Sequence, residues 1–97
     1  MTDFSTMTVD EFTALQGSAC TVASVQPQIE LTLIEVQRLS SGLREGGAVS
    51  LLWQGPGEPA LPQATYALTH ETHGAQELFL VPVARVDAGY QYEAIFT

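Results

Sequence analysis

His70 and His73, with Glu71 between them and Glu77 just beyond, form the one imidazole–carboxylate cluster in this sequence. Two imidazoles at the mouth of a hairpin can converge on zinc, because a turn redirects side chains that a straight strand would splay. The run His70-Glu71-Thr72-His73 lacks the helical spacing of a zinc-protease motif, and no third ligand stands beside it. It reads as a pair of turn-lining histidines, and neither a metal nor a cofactor is expected. Nucleophilic chemistry has less support. Cys20 is the single cysteine, so an intrachain disulfide is impossible, and in Ala19-Cys20-Thr21-Val22 it sits like a small core hydrophobe. Ser40, Ser41 and Ser50 lack the glycine frame of a nucleophile elbow. Glu30 with Glu93 can be drawn on one sheet face as an acid–base pair for sugar chemistry, but an acid-rich chain brings such pairs together by chance. Gly42, Gly46 and Gly47 lack the lysine and the strand-to-helix context of a phosphate cradle. No catalytic residue emerges, and the chain reads as a non-enzyme.

The aromatics leave a second option open. Trp53, Tyr66, Tyr90 and Tyr92 each have an apolar body and a polar tip, so they can stack on a sugar or a peptide. Most stand at alternating positions, which is simpler to read as core or barrel rim. Charge narrows the partners further. Eleven acidic residues face three arginines (Arg38, Arg44 and Arg85) and no lysine, a net charge of −8 on 97 residues. Such a surface repels phosphate backbones and anionic lipid, so neither nucleic acid nor membrane insertion is expected. Met1-Thr2-Asp3-Phe4 lacks the basic start and apolar run of a secretory signal, which implies cytoplasmic synthesis; export to an appendage by another route stays open.

Positioning these residues requires a scaffold, and its pattern is β. At 45% hydrophobic, a single domain over residues 1–97 can build a core without staples. Residues 1–7 read as a flexible leader. Residues 8–17 carry the start and stop signals of a short helix: Thr8 as N-cap, Glu11 completing a capping box, Met7 and Phe12 at the staple positions, and Gly17 at the end. From Ala19 the period changes to two, opening a β-domain over residues 18–97. Ile29, Leu31 and Leu33 alternate with polar neighbours, after which Ile34 and Val36 shift the parity, so a β-bulge is expected near Leu33-Ile34. Ala48–Gln54 forms a third strand, and a stiff proline-rich loop from Gly55 to Pro62 follows it. Tyr66, Leu68 and His70 mark a fourth strand, Glu77–Val83 a fifth, and Tyr90–Phe96 a sixth, joined by turns at Glu71–Gly74 and Asp87–Gly89. The expected fold is mainly β: a small antiparallel barrel or sandwich of about six strands with one short N-terminal α-helix packed on it.

One strand departs from the alternating pattern. In Leu78-Phe79-Leu80-Val81-Pro82-Val83 both faces are apolar, so something must cover the second face. The helix, through Phe12 and Leu15, is the economical cover; the alternative is another protein lying on Leu78, Phe79, Leu80, Val81 and Val83. Pro82 points to an edge or a bulge.

Several stretches together resemble a known family. They are Leu51-Leu52-Trp53-x-Gly55-Pro56, Leu61-Pro62-Gln63-x-x-Tyr66-x-Leu68-x-His70, Gly74 and Leu78-Phe79-Leu80-Val81-Pro82. Tyr92-Glu93-Ala94-Ile95-Phe96 and Phe12-x-x-Leu15-x-Gly17 fit as well. The pattern is similar to that of a family of small uncharacterised bacterial proteins, often encoded beside phage-tail-collar proteins of the microcystin-dependent type. Trp53 departs from it, standing where the family pattern has phenylalanine. The resemblance implies an accessory or structural role at a tail-like or surface appendage and brings no active site. The leading expectation is thus a non-enzymatic structural or interaction module, self-assembling as a homo-oligomer or docking on an appendage protein. The alternative is a β-domain binding a small ligand, such as a carbohydrate, through its aromatic rings.

Overall fold

The computed structural model describes residues 4, 7–26, 28–39, 48–58 and 60–96. Thr8 starts the helix as the sequence requires: Glu11 N–H donates to its hydroxyl at 3.2 Å, and Thr8 N–H donates to the Glu11 carboxylate at 2.9 Å. These reciprocal bonds satisfy two donors that a helix start leaves orphaned. Helix α1 spans only Val9–Ala14, too short to stand alone, so its stability comes from burying Val9 and Phe12. Past the C-cap residue Leu15, Gly17 takes φ +94°, a conformation that a side chain would resist.

Six strands follow: β1 (Ala19–Val22), β2 (Ile29–Arg38), β3 (Val49–Gln54), β4 (Ala64–His70), β5 (Gly74–Val86) and β6 (Gly89–Phe96). All neighbours pair antiparallel, and the sheet closes into a barrel in the order β1-β2-β3-β6-β5-β4. Closure leaves no free edge and gives the alternating apolar residues one shared interior. Leu31, Leu33, Leu51, Trp53, Leu68, Leu78, Leu80 and Tyr92 fill it. The parity shift in β2 is a bulge, since its register against β3 slips between Leu33 and Glu35. The carbonyl of Ile34 there accepts a hydrogen bond from the Gln16 side chain at 2.9 Å, so the end of the helical segment is tied to the bulge. In β5 the register against β6 slips between Pro82 and Ala84, where the proline can do without a ladder hydrogen bond.

Two expectations need correction. The leader is not free at Phe4 or Met7: both are in the core, Phe4 with 2% of its surface exposed. Phe4 meets Phe12 edge-on at 5.7 Å, and Phe12 stacks on Phe96 at 5.5 Å. Nor does the helix cover the second face of β5. It packs against β2 and, through Phe12, on Phe96 of β6, while Phe79 and Val83 on the outside of β5 stay about half exposed. Strand β5 is also longer than its apolar run, since the turns at Glu71–His73 and Asp87–Ala88 are tight enough for pairing to continue to both ends.

The proline-rich crossover is held by both tyrosines beneath it. Leu61 N–H donates to the Tyr92 hydroxyl at 2.9 Å, and the Tyr66 hydroxyl donates to the Pro62 carbonyl at 2.5 Å. Burial, and secondarily Tyr92, raise the Tyr66 pKa, keeping the phenol in its donating form. At the start of the crossover Gly55 N–H donates to the Tyr90 carbonyl and Tyr90 N–H to the Pro56 carbonyl.

Candidate functional site

The alternation of β5 splits the five candidate interface residues into two groups. Leu78 and Leu80 point inward and are core residues, which removes them from any surface. Phe79, at 51% exposure, and Val83, at 49%, lie outside, with Val81 half-buried between them. Ile95 on the neighbouring strand β6 is also 51% exposed, and Val86 lies farther along β5. Val81 pairs with Glu93, so Phe79 and Ile95, each two residues away, leave the barrel on the same outer face. The Ile95 signal was present in the sequence: Tyr92, Ala94 and Phe96 face inward by alternation, which makes Ile95 an apolar residue on the polar side. Beside it the Ser50 hydroxyl donates to the Glu93 carboxylate at 3.0 Å, giving the apolar strip a polar border.

The ligand-stacking aromatics do not form a cleft. Trp53, Tyr66 and Tyr92 are all buried, because each occupies an inward position of a closed barrel. Tyr90 retains partial exposure, and the Arg85 guanidinium lies 5.5 Å from its ring centroid, covering the face a sugar would use.

The histidines also resolve into a specific geometry. His70 is buried at the end of β4, paired across from Cys20 on β1. Its Nδ1 accepts from Thr72 N–H at 3.0 Å and His73 N–H at 3.2 Å, and Nε2 faces the Ser18 hydroxyl at 3.2 Å. Both nitrogens are thus occupied by protein groups, which leaves neither free for a metal. Among the described residues no group of three His, Cys, Asp or Glu side chains converges as a metal site would. Burial first, and then His73, push the His70 pKa down, with Glu71 opposing. Burial raises the Cys20 thiol to about 12, so the thiolate needed for nucleophilic work does not form near neutrality.

The paired-carboxylate idea fails on register. Glu30 lies opposite Thr21, which in turn lies opposite Thr69, whereas Glu93 faces Leu52 and, beyond it, Glu35. The first of these rows belongs to an open cleft of about 450 Å³ lined by Ser18, Thr21, Glu30, Thr69 and Glu71, among others. It offers hydroxyls and carboxylates. Ser40, Ser41, Gly42, Gly46 and Gly47 lie outside the described residues. Among the described residues no helix is long and apolar enough to cross a membrane.

Together these observations define a closed six-stranded β-barrel, with Phe4, Met7 and α1 packed onto its core and an apolar strip on the outside of β5 and β6. Residues 7–96 match the family described as a domain of unknown function, DUF6916, and the chain belongs to that family. No curated protein and no solved structure matches it.

Proposed function

We propose that this protein is a non-enzymatic structural or interaction module that binds another protein through the outer face of β5 and β6. The observation carrying this reading is the strip of Phe79, Val83 and Ile95, three large apolar side chains each about half exposed on adjacent strands. Each aromatic or branched side chain transferred from water into a contact contributes about 1.5–3 kcal/mol when burial is complete, so a few such residues can anchor an interface. The partner is a second copy of the chain or a subunit of a phage-tail-like or surface appendage. The resemblance to proteins encoded beside phage-tail-collar genes supports the appendage. Carbohydrate binding is the weaker reading, since three of its four aromatic rings serve the core.

The test is a pair of charge substitutions, Phe79→Glu and Ile95→Glu, on the solvent side of the strands. Sedimentation velocity should show the wild type as an assembly, or as a complex with the appendage subunit. Each variant should weaken that assembly at least about tenfold, roughly 1.4 kcal/mol, with little change in thermal midpoint. A wild type that stays monomeric and binds no appendage subunit, or variants that assemble as the wild type does, would overturn the reading.

A further inference from the structure

The His70 imidazole bonds within its own turn and to the end of the helical segment. Backbone N–H groups only donate, so the Thr72 and His73 amides require an unprotonated Nδ1. The ring proton of neutral His70 then sits on Nε2, which donates a hydrogen bond to the Ser18 hydroxyl, and that hydroxyl donates in turn to the Leu15 carbonyl at 2.5 Å. On the other side of the turn, Gln76 accepts from Phe4 N–H at 3.0 Å and donates to the His73 carbonyl at 2.9 Å. The Phe4 ring stands edge-on to both imidazoles at 6.0 Å. Thus the Phe4 anchor and the Leu15–Ser18 helix end are both held through the turn that the His70 ring organises.

We propose that His70 is an acid-sensitive latch: protonation at Nδ1 releases Phe4 and the Leu15–Ser18 helix end from the barrel mouth while the six strands stay paired. A proton on Nδ1 would point at two N–H donors, so the turn cannot keep its present form around an imidazolium. The titratable groups facing the ring are few. On the turn, His73 lies 5.0 Å away ring to ring and works against protonation of His70, while Glu71 favours it. From β1 comes the uncharged Cys20 thiol; from β5 and the helix end come Gln76, Ser18 and the Leu15 carbonyl, all neutral. The folded-state value lies below the ordinary 6.5, so the latched form is favoured above that pH and loses ground as pH falls through the folded value. The latch does not depend on what binds the outer strip.

Amide hydrogen exchange, expressed as protection relative to an unstructured chain at the same pH, tests it. Protection at Phe4, Thr72 and His73 should fall by up to about tenfold per pH unit below the ordinary histidine value, while Leu51 and Tyr92 keep theirs. The His70 ring resonance in the wild type should titrate in step with the Phe4 loss. His70→Gln should flatten the pH dependence, and His73→Gln should shrink the total loss, because removing the like charge brings the folded value of His70 back toward the ordinary one. Phe4 protection that is flat across the acid range, or that is lost together with Leu51 and Tyr92, would overturn the latch. So would a His70 titration out of step with Phe4, which needs no variant to fold.

Discussion

Trp53 is the largest side chain fully enclosed by the barrel, and its buried indole Nε1 has no hydrogen-bond partner among the described residues. A buried unpaired donor costs about 1–3 kcal/mol, a cost that the apolar burial of the ring has to outweigh. Phenylalanine at this position removes the orphan donor and also some packed volume. The two effects oppose each other, so Trp53→Phe should change stability by less than about 1.5 kcal/mol, whereas Trp53→Ala should cost about 3–5 kcal/mol. Urea denaturation followed by far-UV circular dichroism separates the two. A loss for Trp53→Phe as large as that for Trp53→Ala would mean that the indole nitrogen is not a liability. The same balance of burial against polarity explains Cys20 and His70, whose chemistry-bearing atoms are spent on the interior and on the turn.

At the level of elements, the β5–β6 turn packs closely against the start of the crossover. Gly89 has φ +134°, and a Cβ there would lie 2.3 Å from the Gly55 carbonyl oxygen and 2.4 Å from the Pro56 carbonyl carbon. Gly57 has nothing within 4 Å of a hypothetical Cβ. Strain and collision act together at the first site, so Gly89→Ala should lower stability by about 3 kcal/mol or more, and Gly57→Ala by less than about 1 kcal/mol. Calorimetry of the two variants checks this, and equal midpoints would contradict the close approach. Signals of this local kind were readable in the chain: the Thr8–Glu11 box, the bulge at Leu33-Ile34 and the slip at Pro82 follow from neighbouring residues. The Leu78–Val83 run announced two apolar faces but not which would stay open, because that depends on where a helix distant in sequence comes to rest. For the same reason Phe4 looked like leader: its partners Gln76, His70 and His73 are joined to it only by folding. The cleft by Glu30 and the separation of Glu93 from it required the ring closure of β1 on β4, a pairing between remote segments.

At the scale of the whole molecule, the apolar strip sits on a body of net charge −8, and these two properties pull association in opposite directions. Two copies meeting through Phe79 and Ile95 bring like charges together, and the repulsion between them is screened over about 10 Å at 0.1 M salt. Contact between apolar side chains carries no such dependence and is, if anything, strengthened by excluded salts. Self-association through the strip should therefore rise several-fold between about 0.05 and 0.5 M sodium chloride. Docking on a basic appendage subunit should weaken over the same range, because there the screened term is the attractive one. Sedimentation equilibrium of the protein alone, repeated with Phe79→Glu, reads the sign directly. A self-association that falls with salt means that opposite charges, and not the β5–β6 strip, hold the copies together.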